Sequence, residues 1–548
     1  MNSQVALAPL SRTFQILMVV RGALVGCIVG VLIAGYRFLL SQCEGMLRAI
    51  TSQAATSPLI IPLWIAVLGL LLLLLSALMR FAPGTAGSGI PQVEADALGR
   101  LDLPWRRVIP IKVLEGGITA FAGLSLGREG PSVQLGGMCG KAVSELTRAT
   151  EEERRLLVTC GAGAGMAAAF SAPLTGVMFA VEEIHKSFSA PLVIGTMASA
   201  VAAVLCTGAL LGEDPLIPIR FAFDLPHIAY GLVALLGAFL GLLGALHNRG
   251  MFLGQALYGK IRSHLPLSRL AIPFGLAGLC AFAAPSLMDG GDAILEILVR
   301  VSNHPTLLLL LLLLGKYLFT NISASSGAPG GTLYPLVVMG ALAGALFGRA
   351  AVAFLGLDGA YINNFMLLGI AGLFAGAVQA PVTGCLLVFE LTGSFSALLS
   401  LGLVSLVAYV VANLTKTPGY YEHLLGNLLA HDSDEILKAP RRSVVTHTWY
   451  VNFGSEAEGK RLSELHCPQG SSVCLVTRCG RSLVPSQDLV LEAADGVLFV
   501  IDSALAPIAE ARIEALFRPG YPHQANEIPS SSPPQEGPSH AARQSPRR

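Results

Sequence analysis

An all-α polytopic membrane protein with a small α+β soluble domain at its C-terminal end is the fold class that this sequence predicts. Three observations predict it: long uncharged apolar stretches, an internal repeat, and a change of composition near residue 433. Hydrophobic residues make up 53% of the chain and charged ones 13%, about half the charged share usual in soluble proteins. Ser57 to Met79 and Ser187 to Gly212 are uncharged and exceed the ~20 residues needed to cross ~30 Å of hydrocarbon. The bilayer is therefore the partner that this composition demands. A net charge of +1, with the few charges in connecting loops and the C-terminal region rather than in one basic patch, implies no nucleic-acid partner.

From the N-terminus, Met1 to Phe14 lacks the charged start, short apolar core and small-residue cleavage site of a signal peptide. The first long apolar stretch, roughly Ile16 to Leu40, is expected to stay as a helix. Apolar segments follow closely up to Leu429, many interrupted by Gly and Pro, as in Gly84 to Pro91, Gly123 to Pro131 and Gly327 to Pro335. Irregular backbone is tolerated at membrane depth only where protein or a polar cavity surrounds it, so these three breaks point to one internal site. The ten cysteines are scattered, five of them (Cys27, Cys160, Cys206, Cys280, Cys385) within apolar runs, and no CxxC pair occurs. They read as small packing residues, with no metal site and no cofactor.

The repeat is explicit. Gly161 to Gly176 (GAGAGMAAAFSAPLTG) returns as Gly369 to Gly384 (GIAGLFAGAVQAPVTG) at an offset of 208, which also matches Pro173 with Pro381, Thr175 with Thr383 and Glu182 with Glu390. At 204, Gly127-Arg-Glu-Gly-Pro131 meets Gly331-Thr-Leu-Tyr-Pro335, and Gly136 meets Gly340. The transmembrane part, residues 1–432, is thus expected to be two related halves, about 14–215 and 225–430. Matched interrupted segments in two halves point to a transporter's binding site.

After residue 432 the pattern turns polar and β-leaning. Ser443 to Val451, Ser472 to Arg478 and Gly496 to Asp502 are predicted strands of a soluble domain spanning 433–518. The Pro/Ser-rich stretch 519–548 is expected to be disordered.

Three motifs carry the chemistry: Gly87-Ser-Gly-Ile-Pro91, Gly127-Arg-Glu-Gly-Pro131 and Gly331-Thr-Leu-Tyr-Pro335. Each places glycine and proline where a helix should begin. Proline suits the first turn, where its missing N–H costs nothing, and glycine lets backbone approach a ligand. The remaining N–H groups, at the positive ends of helix dipoles, make a site for a small anion without a full positive charge that would trap it. Glu129 sits in the middle of such a motif. A lone carboxylate there is costly unless it serves a function.

GSGIP, GREGP and the GxxxP of the second half, followed by a Pro-x-Tyr region, resemble in order the signature set of the CLC family of chloride channels and transporters, over roughly residues 14 to 430. The resemblance implies a CLC-type inverted-repeat bundle of tilted and broken helices, and a homodimer with one anion pathway per subunit. It implies exchange of chloride for protons, as in the prokaryotic antiporter branch, across a bacterial inner membrane. By position, Ser88 beside Gly87 would offer its hydroxyl to the anion, with the backbone N–H groups of Thr332 and Leu333 opposite and Gly130 and Arg128 shaping the pore. Leu333 stands where phenylalanine is common. A tyrosine completes the site: counting from Pro418 selects Tyr420, whereas the downstream Tyr-Glu-x-Leu-Leu selects Tyr421, which is preferred. Deprotonated Glu129 would occupy the N–H cradle and block the path, and protonated it would swing away. Glu182 has a repeat partner in Glu390 and reads as structural. Glu183 has none and matches the family's inner proton relay, an acid that pure channels commonly lack.

The 433–518 region resembles a TrkA-C type domain, which implies either a sensor of a small-molecule regulator or a cytoplasmic dimerisation module. It contains no GxGxxG. Against the exchanger stands a passive, proton-gated, voltage-dependent chloride channel of the same fold. A membrane-embedded hydrolase lacks HExxH, GxSxG and any metal-ligand cluster, so the chain is not expected to be an enzyme. By the same resemblance, Ser88 stands where nitrate-preferring relatives often carry proline, which implies chloride over nitrate, and the order among halides stays open.

Overall fold

The computed structural model describes residues 12–53, 57, 59–212, 217, 219–222, 229–261, 266–436, 444–478, 481–502 and 506–518. The expected disordered tail 519–548 and most of the N-terminal segment lie outside the described residues. The described residues fall into two compact units, one ending at Glu435 and one starting at Ile436.

The larger unit is helical. Its first half runs α1 (Arg12–Gln53), α2 (Ile60–Phe81), α3 (Ile90–Ala97), α4 (Trp105–Phe121), α5 (Glu129–Leu146), α6 (Glu151–Phe170), α7 (Pro173–Phe179) and α8 (Ala190–Leu211). The second half repeats the series as α9 (Tyr230–Gly259), α10 (Pro266–Ala283), α11 (Asp292–Val299), α12 (Thr306–Ser325), α13 (Leu333–Leu355), α14 (Tyr361–Val378), α15 (Pro381–Thr392) and α16 (Leu398–Leu414), and α17 (Tyr420–Ile436) follows. Among the described residues nine helices are long and apolar enough to cross a membrane, so the chain is a multi-pass membrane protein. Lengths are uneven, as expected of tilted and broken helices. At 1.5 Å per residue α1 would run about 63 Å, twice the hydrocarbon core, whereas eight-residue α3 and α11 would cover only about 12 Å.

Small residues set the packing. α5 lies on α6, and α13 on α14 in the same way. A Cβ on Gly136 would come within 2.1 Å of the Gly161 carbonyl oxygen, and one on its mate Gly340 within 2.7 Å of the Gly369 oxygen. The backbones therefore touch, as small residues permit in membrane bundles. α6 opens with a capping box between Thr150 and Glu153, reinforced by three acids in its first turn. The apolar run Ala167 to Val181 is not one continuous helix. Ser171 adopts a left-handed φ of 56°, its mate Gln379 one of 67°, and Pro173 and Pro381 then start α7 and α15.

Those short helices are cross-capped. The Glu390 carboxylate accepts from the Leu174 and Thr175 N–H groups at 2.8 and 2.7 Å and from the Thr175 hydroxyl at 2.7 Å. Glu182 does the same for Val382 and Thr383, at 3.3, 2.9 and 2.7 Å. Each half thus satisfies first-turn donors of the other, which have no intrahelical acceptor.

The C-terminal unit is an antiparallel sheet of order β1-β4-β2-β3, formed by β1 (Val444–Tyr450), β2 (Ser471–Arg478), β3 (Arg481–Leu483) and β4 (Gly496–Asp502). The three predicted strands appear within one residue of their expected ends. Three-residue β3 is too short to show an alternation. α18 (Ala506–Phe517) covers the sheet, with Ile513 and Phe517 buried against the core that holds Val497, Phe499 and Ile501. Arg478 grips the buried Asp495 at 2.9 and 2.7 Å.

Gly136→Ala should lower the stability of the purified protein in detergent by about 2 kcal/mol, because an inserted methyl forces two backbones apart. Gly69→Ala should leave it unchanged, since nothing lies within 4 Å of that position; thermal unfolding of the two variants checks the contrast.

Candidate functional site

The interrupted segments converge. Gly127 and Gly331, mates at offset 204, exchange two backbone hydrogen bonds, N–H to O at 2.6 and 2.7 Å. Gly87 donates to the Gly327 carbonyl at 3.0 Å and accepts from the Gly330 N–H at 3.1 Å. These four bonds tie the starts of α3, α5 and α13 into one knot. Gly130 is essential to it: a Cβ there would lie 2.7 Å from the Ser88 carbonyl oxygen and 3.1 Å from the Gly331 Cα.

Glu129 is fully buried at the first position of α5. Its Oε2 accepts from the Tyr334 N–H, in the first turn of α13, at 3.3 Å, and Oε1 has no hydrogen-bond partner. A Cβ on Gly127 would sit 2.4 Å from Oε2, so the carboxylate folds back over that glycine. It occupies a donor at a helix N-terminus, the kind of group that binds a bare anion. The Arg128 guanidinium lies 5.4 Å from the Tyr334 ring centroid, an attractive cation–π geometry. Outside the carboxylate a polar cavity of about 30 Å³ is lined by Tyr36, Glu44, Thr119, Arg128, Asp289 and Tyr334, among others.

On the other side of the knot Ser88, Thr332, Leu333, Tyr420 and Tyr421 are all buried. The Ser88 Oγ accepts from the Ile90 N–H at 3.3 Å, which leaves its proton available to an anion. The loop that presents it is held by the fully buried Lys112 of α4, whose Nζ donates to the carbonyls of Thr85 at 2.6 Å and Gly87 at 2.8 Å. Lys112 lies in the field of buried Glu115, whose Oε1 accepts from the Thr85 hydroxyl at 2.9 Å. Both tyrosines approach the Thr332 side chain, with their rings 5.1 Å apart. They differ in surroundings. Tyr420 packs on His247 at 6.4 Å, whereas Tyr421 lies within electrostatic reach of both Glu183 and Glu129 and its hydroxyl makes no well-formed hydrogen bond.

Glu182 and Glu183 have opposite fates. Glu182 is spent on the cap of α15, but Glu183 is buried in a wide turn, Ala180–Ile184, where the His185 N–H reaches the Ala180 carbonyl five residues back at 2.9 Å. At the equivalent positions α15 is regular helix. Such wide turns recur at functional sites. Lys186 pairs with buried Glu94 at 2.6 Å, and that pair, Glu182 and Glu422 surround Glu183 electrostatically. Among the described residues no group of three or more His, Cys, Asp or Glu could hold a metal.

Reading the sequence missed Tyr334, Lys112, Glu94 and Lys316. Tyr334 acts through its backbone, which no residue type advertises. The lysines did carry a signal: buried charge in apolar sequence, at positions 112 and 316, repeats at offset 204.

A family model described as "Voltage gated chloride channel" matches residues 70–413. The H(+)/Cl(-) exchange transporter ClcA of Vibrio cholerae is 35% identical over 400 residues, covering 70% of this chain and 84% of that protein. The namesake from Citrobacter koseri is 31% identical over 434 residues, covering 77% and 91%. Among solved structures, a slow cyanobacterial Cl-/H+ antiporter superposes with a TM-score of 0.71 at 31% identity, covering 75% of this chain and 98% of that one. A CLC-type fluoride/proton antiporter, 22% identical with a TM-score of 0.63 and covering the same 75% and 98%, shares the fold.

Lys112→Met should destabilise the protein by about 3–5 kcal/mol, because it strands Glu115 and two loop carbonyls in the interior. Adding Glu115→Gln should recover part of that loss. Thermal unfolding of the single and double variants reads both.

Proposed function

This chain belongs to the CLC family of voltage-gated chloride channels and transporters, and from that premise we propose that it exchanges chloride for protons by secondary active transport. The observation that carries the reading is Glu129 on the Tyr334 N–H: one carboxylate takes a donor that an anion would otherwise use. While charged it competes with chloride; once protonated it loses that attraction and yields the place. Each departure of the gate therefore moves a proton, and each return displaces an anion. The relatives' names and the antiporter likeness support transport over catalysis, and no enzymatic step is invoked.

In this reading Glu129 is the gate and outer proton carrier, and Glu183 is the inner one. Glu183 is buried, unmatched in the second half and placed on a wide turn, three features of a retained intramembrane acid. Chloride is held by the Ser88 hydroxyl, the Tyr421 hydroxyl and the N–H groups of Thr332 and Leu333, with Gly87 and Gly130 allowing the close approach. Arg128 sets the potential at the mouth. Tyr421 is chosen over Tyr420 for its position in the field of both carboxylates.

The assembly is a homodimer in a bacterial inner membrane. Residues 433–518 are a cytoplasmic TrkA-C-like domain that either dimerises or senses a small molecule. β1 lies at the outer edge of its sheet, with backbone groups on one side unpaired among the described residues, which supports the first role.

The test is proton uptake into liposomes driven by a chloride gradient alone. Uphill proton movement is expected in the parent. Glu129→Ala and Glu183→Ala should abolish it while chloride flux persists. Chloride flux without proton movement in the parent would make the protein a passive channel and overturn the exchange. Tyr421→Phe should weaken chloride binding, measured by calorimetry, by about fivefold for one lost hydrogen bond, whereas Tyr420→Phe should change it less than about twofold.

A further inference from the structure

The loop that presents Ser88 has a mate that its residues do not reveal. At offset 202, Gly87-Ser88-Gly89-Ile90 falls on Asp289-Gly290-Gly291-Asp292. The backbones agree: φ is 66° at Gly87 and 53° at Asp289, and 87° at Gly89 and 114° at Gly291. The anchors agree as well. Lys112 donates to the Gly87 carbonyl at 2.8 Å, and the fully buried Lys316 of α12 donates to the Asp289 carbonyl at 2.6 Å and to that of Leu287 at 3.2 Å. One loop serves the inner anion site; the other lines the cavity outside Glu129.

The contact between loop and helix start is also conserved by the symmetry, with its sizes exchanged. On the inner side Ser88 presses on Gly130. On the outer side Gly290 makes room for Tyr334, the mate of Gly130: a Cβ on Gly290 would lie 2.6 Å from the ring. The tyrosine so admitted makes three contacts. Its N–H donates to Glu129 at 3.3 Å, its ring lies under Arg128 at 5.4 Å, and its hydroxyl donates to Asp292 at 2.5 Å. Asp292 is the first residue of α11, at the end of the loop that Lys316 pins.

We propose that Tyr334, held by Asp292, is the positioning residue of the outer gate. The hydroxyl bond to α11 fixes the first turn of α13, and that turn presents the donor on which the Glu129 carboxylate rests. A tethered donor holds the carboxylate in one geometry; an untethered one loosens it and lets the gate leave more often. The inner loop needs no such tether, because Ser88 faces the transported anion rather than a side chain that must return. This inference rests on the exchange reading for its meaning but not for its test.

The test is chloride flux in liposomes, in the parent background and in Glu129→Ala, where there is no gate to position. Tyr334→Phe keeps the ring, the stacking and the N–H and removes only the hydroxyl. It should raise chloride flux roughly fivefold in the parent background, the scale of one hydrogen bond, and raise the chloride-to-proton ratio with it. In Glu129→Ala the same change should alter flux less than about twofold, which also shows that the variant folds. Asp292→Ala should match Tyr334→Phe, the double variant should go no further, and Asp292→Asn, which keeps an acceptor oxygen, should stay near the parent. Equal effects with and without Glu129, or no effect in the parent background, would overturn the proposal. Proton uptake by the unmutated protein decides the exchange reading separately, so each can fail alone.

Discussion

Two glycines exchanging a pair of hydrogen bonds, Gly127 and Gly331, mark the point about which the membrane unit is organised. A bilayer offers no water to unpaired backbone, so a chain that breaks its helices at mid-depth must satisfy those groups internally. This chain does so by bringing the breaks together. Gly87 joins through Gly327 and Gly330, and around that knot three helices begin with first-turn N–H groups that no helix can satisfy. The need to pair irregular backbone and the ability to bind an anion are thus one property. The cross-capping of α7 and α15 by Glu390 and Glu182 extends the same economy to the far ends of the halves.

Function, on this account, lies where the halves cease to match. Glu129 has Leu333 as its mate, so the carboxylate of one half rests on the helix start of the other. Glu183 has Leu391, and its wide turn has regular helix opposite. Ser88 has Gly290, and Gly130 has Tyr334. In all four pairs one half carries a polar side chain that the other lacks, and in all but the Glu183 pair the backbone around it is shared. Lys112 and Lys316, by contrast, are kept in both, because each loop needs its carbonyls turned away and held.

Much of this was legible beforehand. The apolar spans, the two offsets, the three Gly/Pro breaks and the burial of Glu129 followed from periodicity and from the cost of charge in hydrocarbon. What escaped did so for physical reasons. The 202 offset is masked because little is shared beyond the Ala-Pro pairs at 82–83 and 284–285 and the glycine at 89 and 291. The break at Ser171 and Gln379 uses left-handed residues that are not glycine, so no glycine marks the turn. Tyr334 contributes a backbone group. Lys186 and buried Glu94 lie far apart in sequence and meet at 2.6 Å, a pairing that no local pattern announces.

The central claim is that the Glu129 carboxylate and an anion compete for the same donors. Anomalous diffraction from bromide-containing crystals of the protein and of Glu129→Gln tests it most directly. The account predicts an added bromide peak beside the Tyr334 N–H in the variant, with the residue 129 side chain displaced from it. A variant with the side chain still on that N–H and no added peak would contradict it.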